Sequence, residues 1–377
     1  MKRTLKRGPF FICNSELRKG LSLQSMASKI KDIRELSLGD INLFFEENGE
    51  KSFRAKQVYS WLWSKGCRSF DEMTNLSVST RDLLKQHFGF APTKVVDEQV
   101  STDKTIKSAF ELAPGQIVEG VLIPTSSRMT ACISSQVGCS LACKFCATGK
   151  LKLQKNLGPG EIFDQVFHLK NQAESKYQTP LSNIVYMGMG EPLLNYKNVL
   201  ASIEYITSPE GLAMSPKRIT VSTAGIAKMI KKLGDDDVKF NLALSLHAAN
   251  DEKRSKIMEI NDSNNLEALR DSLCYFHEKT GSRVTFEYII FKDFNDSLHD
   301  ARELAEFAKC VPCKINIIEY NPIDDGEFQQ AATENVDAFA KFLEEKCNLI
   351  VNVRRSRGKD IDAACGQLAN KNKAVNG

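Results

Sequence analysis

Three cysteines in one short stretch, Cys139, Cys143 and Cys146, pose the first chemical question of this sequence. They read C-x3-C-x2-C, with no fourth cysteine close by. Thiolates are soft ligands that suit zinc and iron–sulfur clusters. A cysteine-held cluster normally takes four, so three leave one iron open to a ligand that is not protein. Structural zinc is the competing use. Such sites are closed by four protein ligands, and the next histidine, His168, lies far downstream.

Two further thiols stand where chemistry is available. Cys132 lies seven residues before the first of the three. Cys365 sits in Asp362-Ala363-Ala364-Cys365-Gly366-Gln367-Leu368, after Arg354, Arg355 and Arg357. Small neighbours allow close approach, and basic ones favour the thiolate. Taken alone, either also reads as a buried spare thiol. Cys310-Val311-Pro312-Cys313 has no second pair and reads as structural.

Gly188-Met189-Gly190-Glu191-Pro192 lacks the G-x-G-x-x-G spacing of a dinucleotide site. Its glycines let backbone approach a ligand, and Glu191 can accept hydrogen bonds from a ligand ammonium. His247 is either a core histidine or a pocket residue. Its company, Ser245 and Asn321 at equivalent strand ends, favours the pocket. Glu119, in Val118-Glu119-Gly120-Val121, reads by itself as a solvated carboxylate on a β meander.

These residues need elements to hold them. Apolar β runs at Met129–Ser134, Ile184–Met189, Ile219–Thr223, Phe240–His247, Val284–Phe291 and Ile315–Tyr320 alternate with helical periodicity at 161–174, 196–206, 265–279, 298–309 and 332–346. Alternation of this kind predicts a parallel sheet of βα units. Six units make an α/β fold, an open partial (β/α)6 TIM-type barrel whose chemistry gathers at the C-terminal ends of the strands. The chemical motifs all follow such strands. Short β runs over 94–125 predict an antiparallel meander before the barrel. Residues 29–90 read as helical, with Phe53, Val58, Tyr59, Leu62 and Trp63 as an apolar face and Arg54, Lys56 and Lys65 around it. Those aromatics suit a small helical core, and the basic residues suit nucleic acid on another face.

The 377 residues are 42% hydrophobic and 26% charged, an ordinary globular composition. No apolar run approaches the length of a membrane span. Eleven cysteines without a secretory h-region point to a reducing cytoplasm rather than a disulfide scaffold. A net charge of +4 allows RNA binding and does not establish it.

The cysteine triplet is the signature of the radical S-adenosylmethionine (SAM) superfamily, and Gly188–Pro192 resembles its GGEP-type SAM motif. Ile133–Cys139 with the triplet, Met187–Pro192, Leu244-Ser245-Leu246-His247-Ala248, Ile315-Asn316-Ile317-Ile318 and Asp362–Leu368 together resemble the RlmN family. Lys155 stands where the family has arginine. Members methylate C2 of adenine in 23S rRNA and tRNA. The resemblance implies a [4Fe–4S] cluster on Cys139, Cys143 and Cys146, and SAM used twice per turnover. It also implies SAM contacts from Gly190, Glu191, Ser222, Ser245, Leu246, His247 and Asn321. Cys365 would be methylated, lose a hydrogen atom and add to adenine C2. Glu119 would take the C2 proton, and Cys132 would release the product, leaving a Cys132–Cys365 disulfide.

The resemblance further implies 23S rRNA and tRNA as partners, an electron donor such as flavodoxin, no membrane, and a monomer. The expected organisation is a tail at 1–28 (disordered or an extended start), a helical RNA-binding domain at 29–92, a β linker region at 93–126, the barrel with its cysteine loop at 127–370, and a tail at 371–377. A Cfr-like C8 methyltransferase and a non-catalytic iron–sulfur RNA-binding protein are the alternatives.

Overall fold

The computed structural model describes residues 31–91 and 93–371. The tail expected at 1–28 lies outside the described residues.

Serine hydroxyls cap two of the first three helices. Ser37 caps α1 (Leu38–Glu47), its hydroxyl accepting from the Asp40 amide while the Asp40 carboxylate accepts from the Ser37 amide. Ser77 caps α3 (Val78–His87), its hydroxyl accepting from the Thr80 amide. Between them α2 (Phe53–Trp63) buries Val58, Tyr59, Leu62 and Trp63. That face reaches beyond its own helices. The Trp63 ring stacks on Tyr205 at 3.8 Å and meets the Phe163 edge at 5.0 Å. A Cβ on Gly66 would lie 2.3 Å from the Phe167 ring, so glycine is what lets these helices come so close. Arg34 pairs with Asp164 at 2.7 Å, and Arg68 reaches the other oxygen of that carboxylate at 2.6 Å.

One ten-stranded sheet forms the rest, its strands adjacent in chain order. Strands β1 (Lys94–Val100), β2 (Ile106–Ala113) and β3 (Gln116–Pro124) are the antiparallel meander, and β3 pairs antiparallel with β4 (Met129–Cys132). From β4 onward pairing is parallel: β5 (Asn183–Tyr186), β6 (Ile219–Thr223), β7 (Asn241–Ser245), β8 (Val284–Ile290), β9 (Cys313–Glu319) and β10 (Val351–Arg354). Helices α4 (Pro159–Tyr177), α5 (Tyr196–Thr207), α6 (Ala227–Asp235), α7 (Asp251–Ile257), α8 (Leu266–Thr280), α9 (Leu298–Ala308) and α10 (Thr333–Glu345) make the crossovers. Among the described residues β1 and β10 are the two free edges, so the barrel is open.

Two details depart from the periodicity. The parallel part has seven strands rather than six, because Val351–Arg354 extends it. Four residues at an edge, only one of them buried, leave little apolar signal. Helices α6 and α7 are short, nine and seven residues, so neither fills the window over which a helical period is read.

Candidate active site

The C-terminal ends of the parallel strands enclose a cavity of about 900 Å³, counting its open mouth. Cys139, Cys143, Cys146, Gly190, Glu191, Ser222, Ser245, His247 and Cys365 all line it. Residues far apart in sequence therefore meet at the place the βα rhythm selects.

The cysteine loop is shaped by backbone. Residues Gln136–Val137 pair antiparallel with Lys155–Asn156 and close the loop at its base. Gly138 turns there at φ +74°, where a Cβ would lie 2.2 Å from the Lys152 carbonyl. The Cys146 amide donates to the Cys143 carbonyl at 3.1 Å, and Gly149 donates to Cys146 at 3.0 Å. Burial pushes the thiols up, Cys139 to about 11 and Cys143 and Cys146 in the same direction. Thiols held like this are neutral until a cation favours the thiolate. Among the described residues no three acidic, cysteine or histidine side chains converge as a single metal ion requires.

The strand ends add polar groups. Gly190 adopts φ +97°, and a Cβ there would lie 2.4 Å from the Gln136 side chain. The Glu191 carboxylate accepts from the Leu193 and Ala224 amides at 3.0 and 2.8 Å. Burial nevertheless raises its carboxyl above the ordinary range. Ser222 and Ser245 hydroxyls lie 3.4 Å apart. His247 is buried at φ +56°, and its Nδ1 accepts from the Ile289 amide at 3.1 Å. Burial, then the nearby Arg254 charge, lowers the imidazole to about 3. The ring is therefore neutral, and the bond at Nδ1 assigns its proton to Nε2.

Leu246 and Asn321 do not line the cavity. Leu246 is fully buried, with its amide bonded to Glu287 and its carbonyl to Arg254. Asn321 reaches the Glu319 and Cys365 carbonyls at 3.3 and 3.4 Å, while its buried Oδ1 has no partner. Sequence reading also misses Arg254. Its buried guanidinium donates to the carbonyls of Leu246, Ala224 and Ser245 and so ties the ends of β6 and β7 together. Nothing in its charged helix signals that role.

The segment after β10 folds back over the cysteine loop. Ala147 donates to the Gly366 carbonyl at 2.7 Å, and the Thr148 hydroxyl donates to Leu368 at 2.7 Å. Cys365 is exposed at the cavity mouth, though enough protein rings it to push its thiol up, with Arg354 opposing. Arg354 lines the same cavity and pairs with Glu287 at 3.4 Å. Cys132 sits behind, at the end of β4. Burial, then Cys365, raises it to about 12. Glu119 is fully buried outside the lining, its Oε2 accepting from the Ala369 and Asn370 amides at 2.9 and 3.1 Å. A solvated carboxylate is therefore excluded. Arg355 and Arg357 are held within the chain, by Glu319 and Asp337 and by Asp103.

Residues 31–89 match the family model of the ribosomal RNA large subunit methyltransferase N-terminal domain, and residues 133–308 match that of the radical SAM superfamily. A probable dual-specificity RNA methyltransferase RlmN of Cytophaga hutchinsonii is 60% identical over 352 residues, covering 93% of this chain and 96% of its own. A dual-specificity RNA methyltransferase RlmN 2 of Myxococcus xanthus is 43% identical, covering 91% and 92%. The crystal structure of a radical SAM methyltransferase from Sphaerobacter thermophilus superposes with a TM-score of 0.84 at 35% identity, over 90% of this chain and 99% of that one. With likeness of this extent over both the helical module and the barrel, the chain belongs to the RlmN family of radical SAM methyltransferases.

Proposed function

We propose that this chain methylates C2 of adenine in 23S rRNA and tRNA, with Cys365 as the covalent methyl carrier. The observation that carries the reading is the meeting of Cys365 with the Cys139, Cys143 and Cys146 thiols in one cavity. Adenine C2 is electron-poor and does not attack a methyl sulfonium as an amine would. A carrier thiol beside a radical source removes that obstacle.

The residues present fit the family's cofactors. The three cysteines are the soft donor set for a [4Fe–4S] cluster, and the open strand ends, with Glu191, Ser222, Ser245 and His247 in the cavity lining, suit SAM. When bound, this pair supplies one-electron cleavage of SAM to a hydrogen-abstracting radical. The chain does the rest. Glu191 and the Gly190 turn form a polar wall. Neutral His247 offers an Nε2 donor without adding charge. Asn321 holds the Cys365 backbone. Glu119 takes the C2 proton, and Cys132 attacks the Cys365 sulfur to free the product.

Support for Glu119 comes from its bonds to Ala369 and Asn370, which lie with Cys365 on the segment after β10, the strap over the cysteine loop. Residues 29–92 hold structured RNA, with exposed Lys56 among their contacts. The target base must leave its stack to reach the cavity.

Reconstituted protein, given rRNA or tRNA and a low-potential electron donor such as flavodoxin, should yield 2-methyladenosine by mass analysis of digested RNA. Methyl at C8 would instead assign the Cfr-type reaction, and SAM cleavage with no RNA product would overturn the reading.

A further inference from the structure

The antiparallel flank of the sheet holds one buried charge pair that the reading above leaves unexplained. Lys107 on β2 and Glu119 on β3 are 3% and 0% exposed, with Nζ and Oε1 3.2 Å apart. Register explains their placement. Lys107 stands opposite Val121, and Val121 opposite Cys132, so these three share one face of the sheet. Glu119 is two residues from Val121 and lies on that same face, towards the strap that carries Cys365.

The two carboxylate oxygens have different surroundings. Oε2 accepts from two strap amides. Oε1 takes no hydrogen bond, because Lys107 stands at ion-pair distance without the alignment to donate. Oε1 is thus the oxygen with an open lone pair. Among the described residues Glu119 is the one partner of the Lys107 ammonium. A lysine buried to this degree is expected to be paired, and one whose ammonium meets only this carboxylate is fitted to that carboxylate.

We propose that Lys107 is a positioning residue for proton removal from the target adenine, holding the Glu119 carboxylate in place with Oε1 free of hydrogen bonds while the strap holds Oε2. The inference rests on the reading of Glu119 as the base. In the step concerned the C2–H bond breaks, the proton passes to Oε1, and the electron pair stays with the base ring. A buried carboxylate stripped of its ion-pair partner is left uncompensated, and nothing then fixes that oxygen.

Lys107→Met tests this in the iron-loaded enzyme. Cys365 should still gain its methyl group and still add to RNA, because neither event uses the base. Turnover should fall by about 10²–10⁴-fold, the usual contribution of a general base. A nuclease-resistant protein–nucleotide adduct through Cys365 should accumulate, as it should in Glu119→Gln. Lys107→Arg should restore turnover to within about tenfold, since it returns the charge. If Lys107→Met does not fold, Lys107→Gln keeps a polar side chain beside Oε1 without the charge and should show the same adduct. Adduct in Glu119→Gln but none in the Lys107 variants makes Lys107 purely structural and overturns the inference. Absence of adduct in Glu119→Gln as well overturns the assignment of the base itself.

Discussion

The cavity and the seam between helical module and barrel both bury charged and polar groups, but they treat them oppositely. In the seam each charge meets its counterpart. Arg34 is bonded to Asp32, Asp164 and the Ala91 carbonyl, and Asp164 also takes Arg68 and the Thr93 amide. Asp32 stays below the ordinary carboxyl range: burial pushes it up, and the bond and charge of Arg34 more than reverse that. In the cavity burial is the dominant cause. The three loop thiols and Glu191 are pushed towards their neutral forms, and His247 is kept uncharged. Groups matched to one another build structure. Groups left short of partners await a ligand.

Substitutions in the two regions should therefore fail in different ways. The largest loss is expected at Cys365. With Cys365→Ala no carrier exists, and isotope-labelled SAM should place no label on protein or RNA, while iron and sulfide content stay normal. Label appearing on RNA would remove Cys365 from the reaction.

In the seam Asp164→Ala should destabilise the fold by about 3–5 kcal/mol, because it removes the buried carboxylate that Arg34 and Arg68 share. Chemical denaturation checks this. Activity per folded molecule should hold, and a selective loss of activity would erase the distinction between the regions.

Gly190→Ala is intermediate. The backbone there is left-handed at φ +97° and has no room for a Cβ, so the strain costs about 1–3 kcal/mol. Because the turn lies in the cavity wall, equilibrium binding of SAM should weaken by about tenfold or more. Unchanged affinity would move the SAM site away from this turn.

The smallest effect concerns acid. Asp103 anchors the Gly358 amide at 3.0 Å. Burial raises its carboxyl, but hydrogen bonds from Thr105, Gly358 and Ser101 outweigh this and bring it to about 2. A depressed carboxyl contributes stability that is present above its unfolded value of about 3.9 and lost as pH falls through the folded value. Asp103→Asn should cost under about 1 kcal/mol at neutral pH, since the group is partly exposed. It should also flatten the acid limb of stability between about pH 4 and pH 2. An unchanged limb would show that Asp103 does not hold the strap.

How much of the molecule is legible from its sequence depends on the distance between partners along the chain. The cysteine loop and Gly188–Pro192 are local, and the βα rhythm by itself places them at strand ends. Arg254 does not declare itself, because its meaning comes from carbonyls that only the sheet brings near. Glu119 shows the limit best. Its strand alone predicts a solvated carboxylate, yet residues 250 and 251 positions further along close over it. The helical module is legible as a bundle, but its Trp63–Tyr205 seam is not, since Tyr205 belongs to a barrel helix.

The central claim is that Cys365 and Cys132 share one reaction, the first carrying the methyl group and the second releasing the product. Cys132→Ala isolates that division. The carrier can still be methylated and can still add to adenine, but the adduct has no internal thiol to release it. Protein of this variant, purified from cells and digested with nuclease, should carry a nucleotide mass on the peptide containing Cys365. A variant that carries no nucleotide and turns over normally would show Cys132 to be a spare core thiol and contradict the account.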